Sequence, residues 1–440
     1  MSRSAWSMGA NMRIAARQTN PSFAGLMTRL LRSCALLLLG LLVGSCSTLT
    51  RAPAGDGLFI LISIDGFRWD YLSRFEAPTL RQLAANGVHL RSLTPSYPTK
   101  TFPNHYTLVT GLRPAHHGIV GNWFYDPASG ETFGMKKAES NSDERWWLGE
   151  PVWITAEKQG VRSGCYYWPG SEVAHGGVRP SRWLPFDDQV PSADRVDGML
   201  GWLDAPAAER PRLLTLYFSA VDHAGHKLGP DSPDIQISIT EVDQAIACLL
   251  AGLERRGLRE RANLVIVSDH GMSPTSPERV IFLDDLININ SIEVEATGTY
   301  AGVRPKPGTR SAAELAAAIR AKAPPQLKVY ERGHLPARFL YEGTDRIPAV
   351  MLVPDDTWSV EVKVGWPARA ARYDKGNHGW DNETPNMGAL FIAHGPAFQR
   401  GLELPPMDNV HVYNLICRVL GLKPAPNDGD DRLARAVIRH

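Results

Sequence analysis

Leu58-Phe59-Ile60-Leu61-Ile62-Ser63-Ile64-Asp65-Gly66 is the stretch that decides the fold. An unbroken apolar run of this length suits a strand buried on both faces of a parallel sheet, not an alternating strand with one wet face. Its abrupt end in a carboxylate and a glycine is equally informative. Open α/β sheets bind ligands in the crevice beyond the carboxyl ends of their strands, and a glycine there lets the chain turn sharply. Similar runs recur at residues 213–221, 264–267 and 389–393. Between them lie helical patterns: residues 79–86 closed by Gly87, and Ile235, Ile239, Val242, Ile246, Leu249 and Leu253 at spacings of three and four. Strands alternating with helices predict an α/β fold with a doubly wound, largely parallel central sheet. From about residue 275 to 371 the rhythm changes. Pro- and Gly-rich turns there surround one Ala-rich helix (311–323) and one short strand (349–353), which reads as an inserted small subdomain.

The chain has 440 residues, 43% of them hydrophobic and 21% charged, so a large core is available and a disordered or collagen-like chain is excluded. Lys+Arg 47 against Asp+Glu 46 leaves a net charge of +1, which argues against a protein that binds nucleic acid as such. The balance is uneven along the chain. Residues 1–45 carry Arg3, Arg13, Arg17, Arg29 and Arg32 and no acid, so the remainder sums to 42 minus 46, or −4. Arg29 and Arg32 precede an apolar run at residues 34–43, which falls short of the roughly 20 residues of a membrane-spanning helix but fits the core of a signal peptide. That run ends in Val43-Gly44-Ser45-Cys46, which resembles the lipobox of bacterial lipoproteins. The expectation is a signal peptide over residues 1–45 with translation starting at Met27, a lipidated Cys46 and a polar tether over 46–57. A domain then follows over 58–440, held on the periplasmic side of the cell envelope by its lipid. Cys165, Cys248 and Cys417 are then the only thiols left, too few and too dispersed for a disulfide framework.

Three further segments gather the residue types that hold metals. Asp222 and His226 are four apart and share one helical face if a turn begins there, while His223 points elsewhere. Ser268-Asp269-His270-Gly271 follows an apolar run, as Asp65 does, and Gly376-Asn377-His378-Gly379 sets a histidine between glycines with no apolar periodicity around it. Mixed imidazole and carboxylate donors favour Zn²⁺ or a similar ion over Mg²⁺ or Ca²⁺. Six such groups are too many for one tetrahedral ion and suit two ions about 4 Å apart, the arrangement that drives in-line displacement at phosphorus. The nucleophile is sought in Tyr97-Pro98-Thr99-Lys100-Thr101-Phe102-Pro103-Asn104-His105-Tyr106. Pro103 fits the first turn of a helix running to about residue 109, which puts Thr101 at the cap with its hydroxyl and the free N–H groups of that turn facing the crevice. The alternative for Thr101 is plain helix capping. Asn122, in Gly121-Asn122-Trp123, offers a side-chain amide that could donate to a phosphoryl oxygen. Lys100 is read as a solvated neighbour, and His105, His116 and His117 as structural or surface residues.

Together with Gly118 to Asn122 and Trp168-Pro169-Gly170, these segments resemble, in order along the chain, the motifs of the nucleotide pyrophosphatase/phosphodiesterase family of the alkaline phosphatase superfamily. The resemblance implies a three-layer α/β/α sandwich and two Zn²⁺ ions. Asp222, His226 and His378 would hold one; Asp65, Thr101, Asp269 and His270 would hold the other. It implies that Thr101 takes up a nucleotidyl group covalently, with Asn122 and the Thr101 N–H steadying the pentacoordinate phosphorus, and that nucleoside 5′-monophosphates are released. In this family the aromatic after the nucleophile, here Phe102, sandwiches a nucleobase. Trp183, Phe186 and Tyr217 are the candidates for its partner. Stacking tolerates any base. Two other readings stay open: a phosphomonoesterase or phospholipid-head-group phosphodiesterase of the same superfamily, and a non-catalytic zinc-binding lipoprotein. The expected partners are a nucleotide or other small phosphodiester and, through the lipid, a membrane; no protein partner is expected.

Overall fold

The computed structural model describes residues 57–439. The signal segment, the Met27 start, Cys46 and the tether up to residue 56 lie outside the described residues. Three strands form the centre: β1 (Leu58–Ile64), β2 (Leu213–Phe218) and β3 (Ala262–Val267), with β1 paired in parallel to both others. All their residues are buried, as an unbroken apolar run demands. Alternate side chains serve two different cores. Phe59, Leu61, Val265 and Val267 belong to one, while Ile60, Ile62, Leu264, Ile266 and Leu216 belong to the other. Helices cover each face, and the three-layer sandwich expected from the sequence results.

The full sheet has eight strands in the order Leu402–Leu404, Val88–Leu90, Phe391–His394, β3, β1, β2, Ser163–Tyr166 and Arg182–Leu184. Phe391–His394 runs antiparallel to both of its neighbours. Hydrophobic pattern carries no direction, so the sequence could place this strand but not orient it. The apolar stretch 213–221 proves to be two elements. β2 stops at Phe218, and α2 (Ala220–Leu228) begins two residues later with Val221 buried in its first turn; α1 (Thr101–Thr110) and α3 (Ile235–Arg255) are the other helices that matter here. In α3 the residues spaced by three and four, Ile235 through Leu253, are its buried face.

Residues 280–361 build a second, smaller body with its own core. Its antiparallel sheet has the strand order Ile292–Ala296, Ala301–Pro305, Val350–Pro354 and Leu327–Glu331. One helix, Ala312–Arg320, packs on it, capped by Ser311 and Glu314, which accept from each other's backbone N–H. The single strand read from the sequence is therefore an undercount. Ile292–Ala296 and Leu327–Glu331 do alternate apolar and polar, but over only five residues each between turn-forming segments. At the base of this body Ser273–Pro274 pairs antiparallel with Gly376–Asn377, so the chain departs and returns through one two-residue clasp.

Candidate active site

The site lies where β1, β2 and β3 end. Asp65 follows β1, and its N–H donates to Phe218 O at 2.9 Å, which ties its loop to the end of β2. Gly66 has φ +68, and a Cβ there would lie 2.9 Å from Asp222 Cα, so only glycine lets the two loops meet. The Gly66 N–H donates to Asp269 Oδ1 (3.2 Å) and the Phe67 N–H to Ser268 Oγ (3.0 Å), which joins the β1 and β3 loops. Asp222 and His226 occupy one face of α2, with Nε2 to Oδ1 at 3.6 Å, while His223 is directed to Asp188 at the surface. His378 comes from the returning clasp.

Thr101 is not the helix cap. Lys100, with extended backbone (φ −110, ψ 155), fills that position, and its C=O accepts the first helical bond from Asn104. Thr101 is the first helical residue, so its hydroxyl has no capping duty and stands 3.4 Å from His270 Nε2. Asn104 braces the loop in front by donating to Ser96 O, Pro98 O and Lys100 O. The first turn also offers fewer free donors than the cap reading allowed. Phe102 N–H donates to Asn122 Oδ1 at 2.9 Å. That bond settles the Asn122 amide: its oxygen is engaged, and its NH₂ is left to donate. Lys100 is no solvated neighbour either; its ammonium donates to His378 O and Asn377 Oδ1. Burial pushes its pKa down to about 8.

Three histidines present the same nitrogen to the centre. Nδ1 of His378 faces Thr99 O (2.8 Å), Nδ1 of His270 faces Gly271 O (2.9 Å), and Nδ1 of His226 faces Asp374 Oδ2 (3.2 Å). For His378 and His270 the acceptor at Nδ1 places the proton there and leaves the Nε2 lone pair inward, while His226 Nδ1 lies beside the Asp374 carboxylate without a hydrogen bond. Those lone pairs confront carboxylates. His378 Nε2 is 3.8 Å from Asp222 Oδ1, and His270 Nε2 is 3.4 Å from Asp65 Oδ1 and 2.9 Å from Asp269 Oδ2. Asp65 Oδ1, Asp222 Oδ1 and Asp269 Oδ2 are buried and accept from no donor. Burial, then the charges of Asp269 and Asp222, hold the Asp65 carboxyl well above its ordinary range. Burial raises Asp269 too, but His270 and His105 outweigh it and hold that carboxyl well down. Acceptors facing acceptors in a buried pocket are stable only around cations, so this donor set fits bound metal. Three groupings lie close enough to share an ion: Asp222 with His226 and His378, Asp65 with Asp222 and His270, and Asp65 with His105 and Asp269, so Asp222 stands in two of them.

His105, which the sequence reading left as structural, lies inside this network. Its Nδ1 is 2.9 Å from Thr101 O and 3.3 Å from Asp269 Oδ2, and its Nε2 is 2.8 Å from Ser63 Oγ. With Nδ1 donating to Thr101 O, it holds the head of α1 while lying beside Asp269 in a third cluster with Asp65. The four-residue spacing from Thr101 was a visible signal, the same one that drew attention to Asp222 and His226. Asp374 and Thr99, which fix two of the histidines, carried no such signal. His117 is buried against Thr107, and His116 is exposed beside Asp428.

The aromatic candidates separate. Phe102 packs beside Phe133 and Trp147 (ring centroids 6.1 and 5.8 Å). Tyr217 donates its hydroxyl to Asp65 Oδ2 at 2.6 Å and sets its ring edge-on to His105, so it orients a carboxylate where a stacking partner had been sought. Phe186, 47% exposed, lies 5.8 Å from the Tyr217 ring and is free to meet a ligand. Trp183 stands beside Cys165 in the sheet with the Arg179 guanidinium 4.7 Å over its ring, and it makes no ring contact with Phe102, Phe186 or Tyr217 among the described residues. Trp146, Trp147, Trp153 and Trp168 are all core residues.

A threonine at a helix head, beside inward histidines and unpaired carboxylates at the ends of a parallel sheet, defines a metal-dependent hydrolase. The family model for type I phosphodiesterase / nucleotide pyrophosphatase matches residues 59–381, and the chain belongs to that family. An uncharacterized pyrophosphatase/phosphodiesterase of Schizosaccharomyces pombe is 40% identical over 84% of this chain and 78% of its own length. Ectonucleotide pyrophosphatase/phosphodiesterase family member 3 of Bos taurus is 38% identical over 87% of this chain, but the match spans only 45% of that longer protein. Among solved structures, murine ectonucleotide pyrophosphatase/phosphodiesterase 5 superposes with a TM-score of 0.81 at 34% identity, covering 87% of this chain and all of that one.

Proposed function

We propose that this protein hydrolyses nucleotide phosphodiesters and pyrophosphates to nucleoside 5′-monophosphates through a covalent intermediate on Thr101, with two Zn²⁺ as cofactors. The observation that carries the reading is the placement of the Thr101 hydroxyl, uninvolved in capping and 3.4 Å from His270 Nε2. Asp222, His226 and His378 would hold one ion, and Asp65, Thr101, Asp269 and His270 the other. The ions would lower the pKa of the hydroxyl and offset charge on the phosphoryl oxygens. The chain's own residues then divide the work. Thr101 oxygen forms a bond to phosphorus as the bond to the leaving oxygen breaks; water later displaces the threonine oxygen and frees the monophosphate. Asn122 donates its NH₂ to a phosphoryl oxygen, held in pose by the Phe102 N–H. Phe102 and Phe186 supply aromatic surface for the base. The murine relative, in an inactive variant, has been solved in complex with AMP, which supports a nucleotide as ligand.

The purified enzyme should hydrolyse p-nitrophenyl thymidine 5′-phosphate, lose that activity on chelation and regain it with Zn²⁺. Faster turnover of p-nitrophenyl phosphate would overturn the diester reading in favour of a phosphomonoesterase. Choline-containing lipids, tried on the same preparation, test for a head-group phosphodiesterase.

A bacterial lipoprotein, anchored through Cys46 on the periplasmic side of the envelope, is the location we propose. It rests on Arg29, Arg32, the apolar run 34–43 and the small residues before Cys46. Metabolic labelling with a fatty acid should mark the wild-type protein but not Cys46→Ala. Equal labelling of the two sinks the anchor.

A further inference from the structure

Phe186, the exposed half of the aromatic surface assigned to the base, stands on the irregular segment 185–191, between the strand Arg182–Leu184 and the helix Ser192–Trp202. A half-exposed ring on such a segment has no intrinsic reason to keep one pose. Every side chain and loop that a ligand must immobilise weakens its binding.

Arg195, early in the helix Ser192–Trp202, removes that freedom. Its side chain is only 3% exposed. Nε donates to Val190 O at 2.8 Å and one terminal nitrogen to Tyr217 O at 2.9 Å, while the other lies 3.5 Å from Asp188 O and 3.6 Å from Asp188 Oδ1. Asp188 is fixed in turn by the Ser219 hydroxyl, which donates to the same carboxylate oxygen at 2.7 Å. The segment that follows Phe186 is thus pinned to the end of β2. The flat face of the guanidinium serves the rings: its central carbon lies 5.2 Å from the Tyr167 centroid and 5.9 Å from that of Phe186. Phe186 meets Tyr167 and Tyr217 edge-on at 5.6 and 5.8 Å, and its N–H donates to Glu172 Oε1 at 3.0 Å. Tyr167 has φ +66, a left-handed conformation that a bulky residue keeps only where its surroundings enforce it, and such outliers gather where ligands are clamped.

We infer that Arg195 is the positioning residue for nucleobase recognition: it fixes Phe186 as a preformed wall, so that the base binds without having to order the segment. The inference rests on the nucleotide phosphodiesterase reading and adds to it the group that sets affinity for the base. The bonds of its guanidinium go to Val190, Tyr217 and Asp188 and to none of the metal-holding side chains, so its effect passes through Phe186. Lysine cannot take its place, because a single ammonium cannot span those acceptors and lie flat against two rings.

The test compares two diesters with the same leaving group: p-nitrophenyl thymidine 5′-phosphate, and p-nitrophenyl ethyl phosphate, which has no base. Arg195→Lys should raise KM for the thymidine substrate about tenfold, the scale of ordering a side chain and its loop on binding, with kcat nearly unchanged and the ethyl diester little affected. Asp188→Ala removes one pin at a half-exposed position, where the fold has little to lose, and should show the same selectivity at about threefold. In a Phe186→Ala background Arg195→Lys should add nothing, because no ring is left to position. Equal losses for both diesters, no loss in either single variant, or a full further loss in the Phe186→Ala background overturns the role. A wild-type enzyme that handles the ethyl diester as well as the thymidine one has no base recognition to position, and the nucleotide reading then fails before any variant is made.

Discussion

Thr101→Ala is expected to reduce turnover of any diester by about 10⁴- to 10⁶-fold, the scale seen when the attacking residue of a covalent hydrolase is removed. The fold should survive, because Thr101 is the first helical residue and its hydroxyl makes no backbone cap, so the thermal midpoint should stay close to wild type. Thr101→Ser keeps the oxygen and should retain measurable turnover. Mass spectrometry of the quenched reaction should find a nucleotidyl adduct on the wild-type and serine proteins but not on the alanine variant. An alanine variant that still turns over at a tenth of the wild-type rate would remove Thr101 from the chemistry and leave it a positioning residue.

Asp222→Ala should be nearly as damaging, by a different route. Its carboxylate belongs to two of the three candidate metal-binding groupings, at 3.6 Å from His226 Nε2 and 3.8 Å from His378 Nε2. One substitution therefore opens both, and bound zinc should fall well below that of the wild type. Asp374→Asn touches only the outer nitrogen of His226 and should weaken zinc binding by about 10- to 100-fold, as changes behind a ligand commonly do. Stability supplies a second readout. Zinc at a hundred times its dissociation constant should stabilise the wild type by about 2.7 kcal/mol per site. Asp222→Ala should lose most of that increment. Without metal the variant should be no less stable than wild type, because it removes one of the two carboxylate charges that, after burial, hold the Asp65 carboxyl up. A full zinc-induced shift in Asp222→Ala would show that the ions bind elsewhere.

What was legible in the sequence, and what was not, divides along physical lines. The strand ends that lead directly to Asp65 and Asp269, and through the first turn of α2 to Asp222, were legible because fully buried strands are long apolar runs and their ends are abrupt. Pairing at four residues was legible on α2 and available, though passed over, on α1 for His105. Contacts made through backbone oxygen were not: Thr99 O fixes His378, and Gly271 O fixes His270, yet any residue type can present a carbonyl. The cap assignment failed by one residue because Lys100 takes the extended conformation that Thr101 was expected to adopt. Tyr217 was noticed for its ring, while the structure employs its hydroxyl on Asp65. The insert's sheet was underread because its strands are short and sit between turn-forming segments.

The clasp of Ser273–Pro274 against Gly376–Asn377 has a consequence for how such enzymes diversify. Everything between those two dipeptides is a detachable loop in topological terms, entering and leaving through a single doorway, while the metal ligands stand at the doorposts or behind them. Mutation can therefore lengthen, trim or resurface most of that body without moving His270 relative to His378, provided Thr299, which donates to His378 O, and Asp374, which faces His226, keep their places. Selectivity and reactivity are thereby free to evolve on different schedules within one chain.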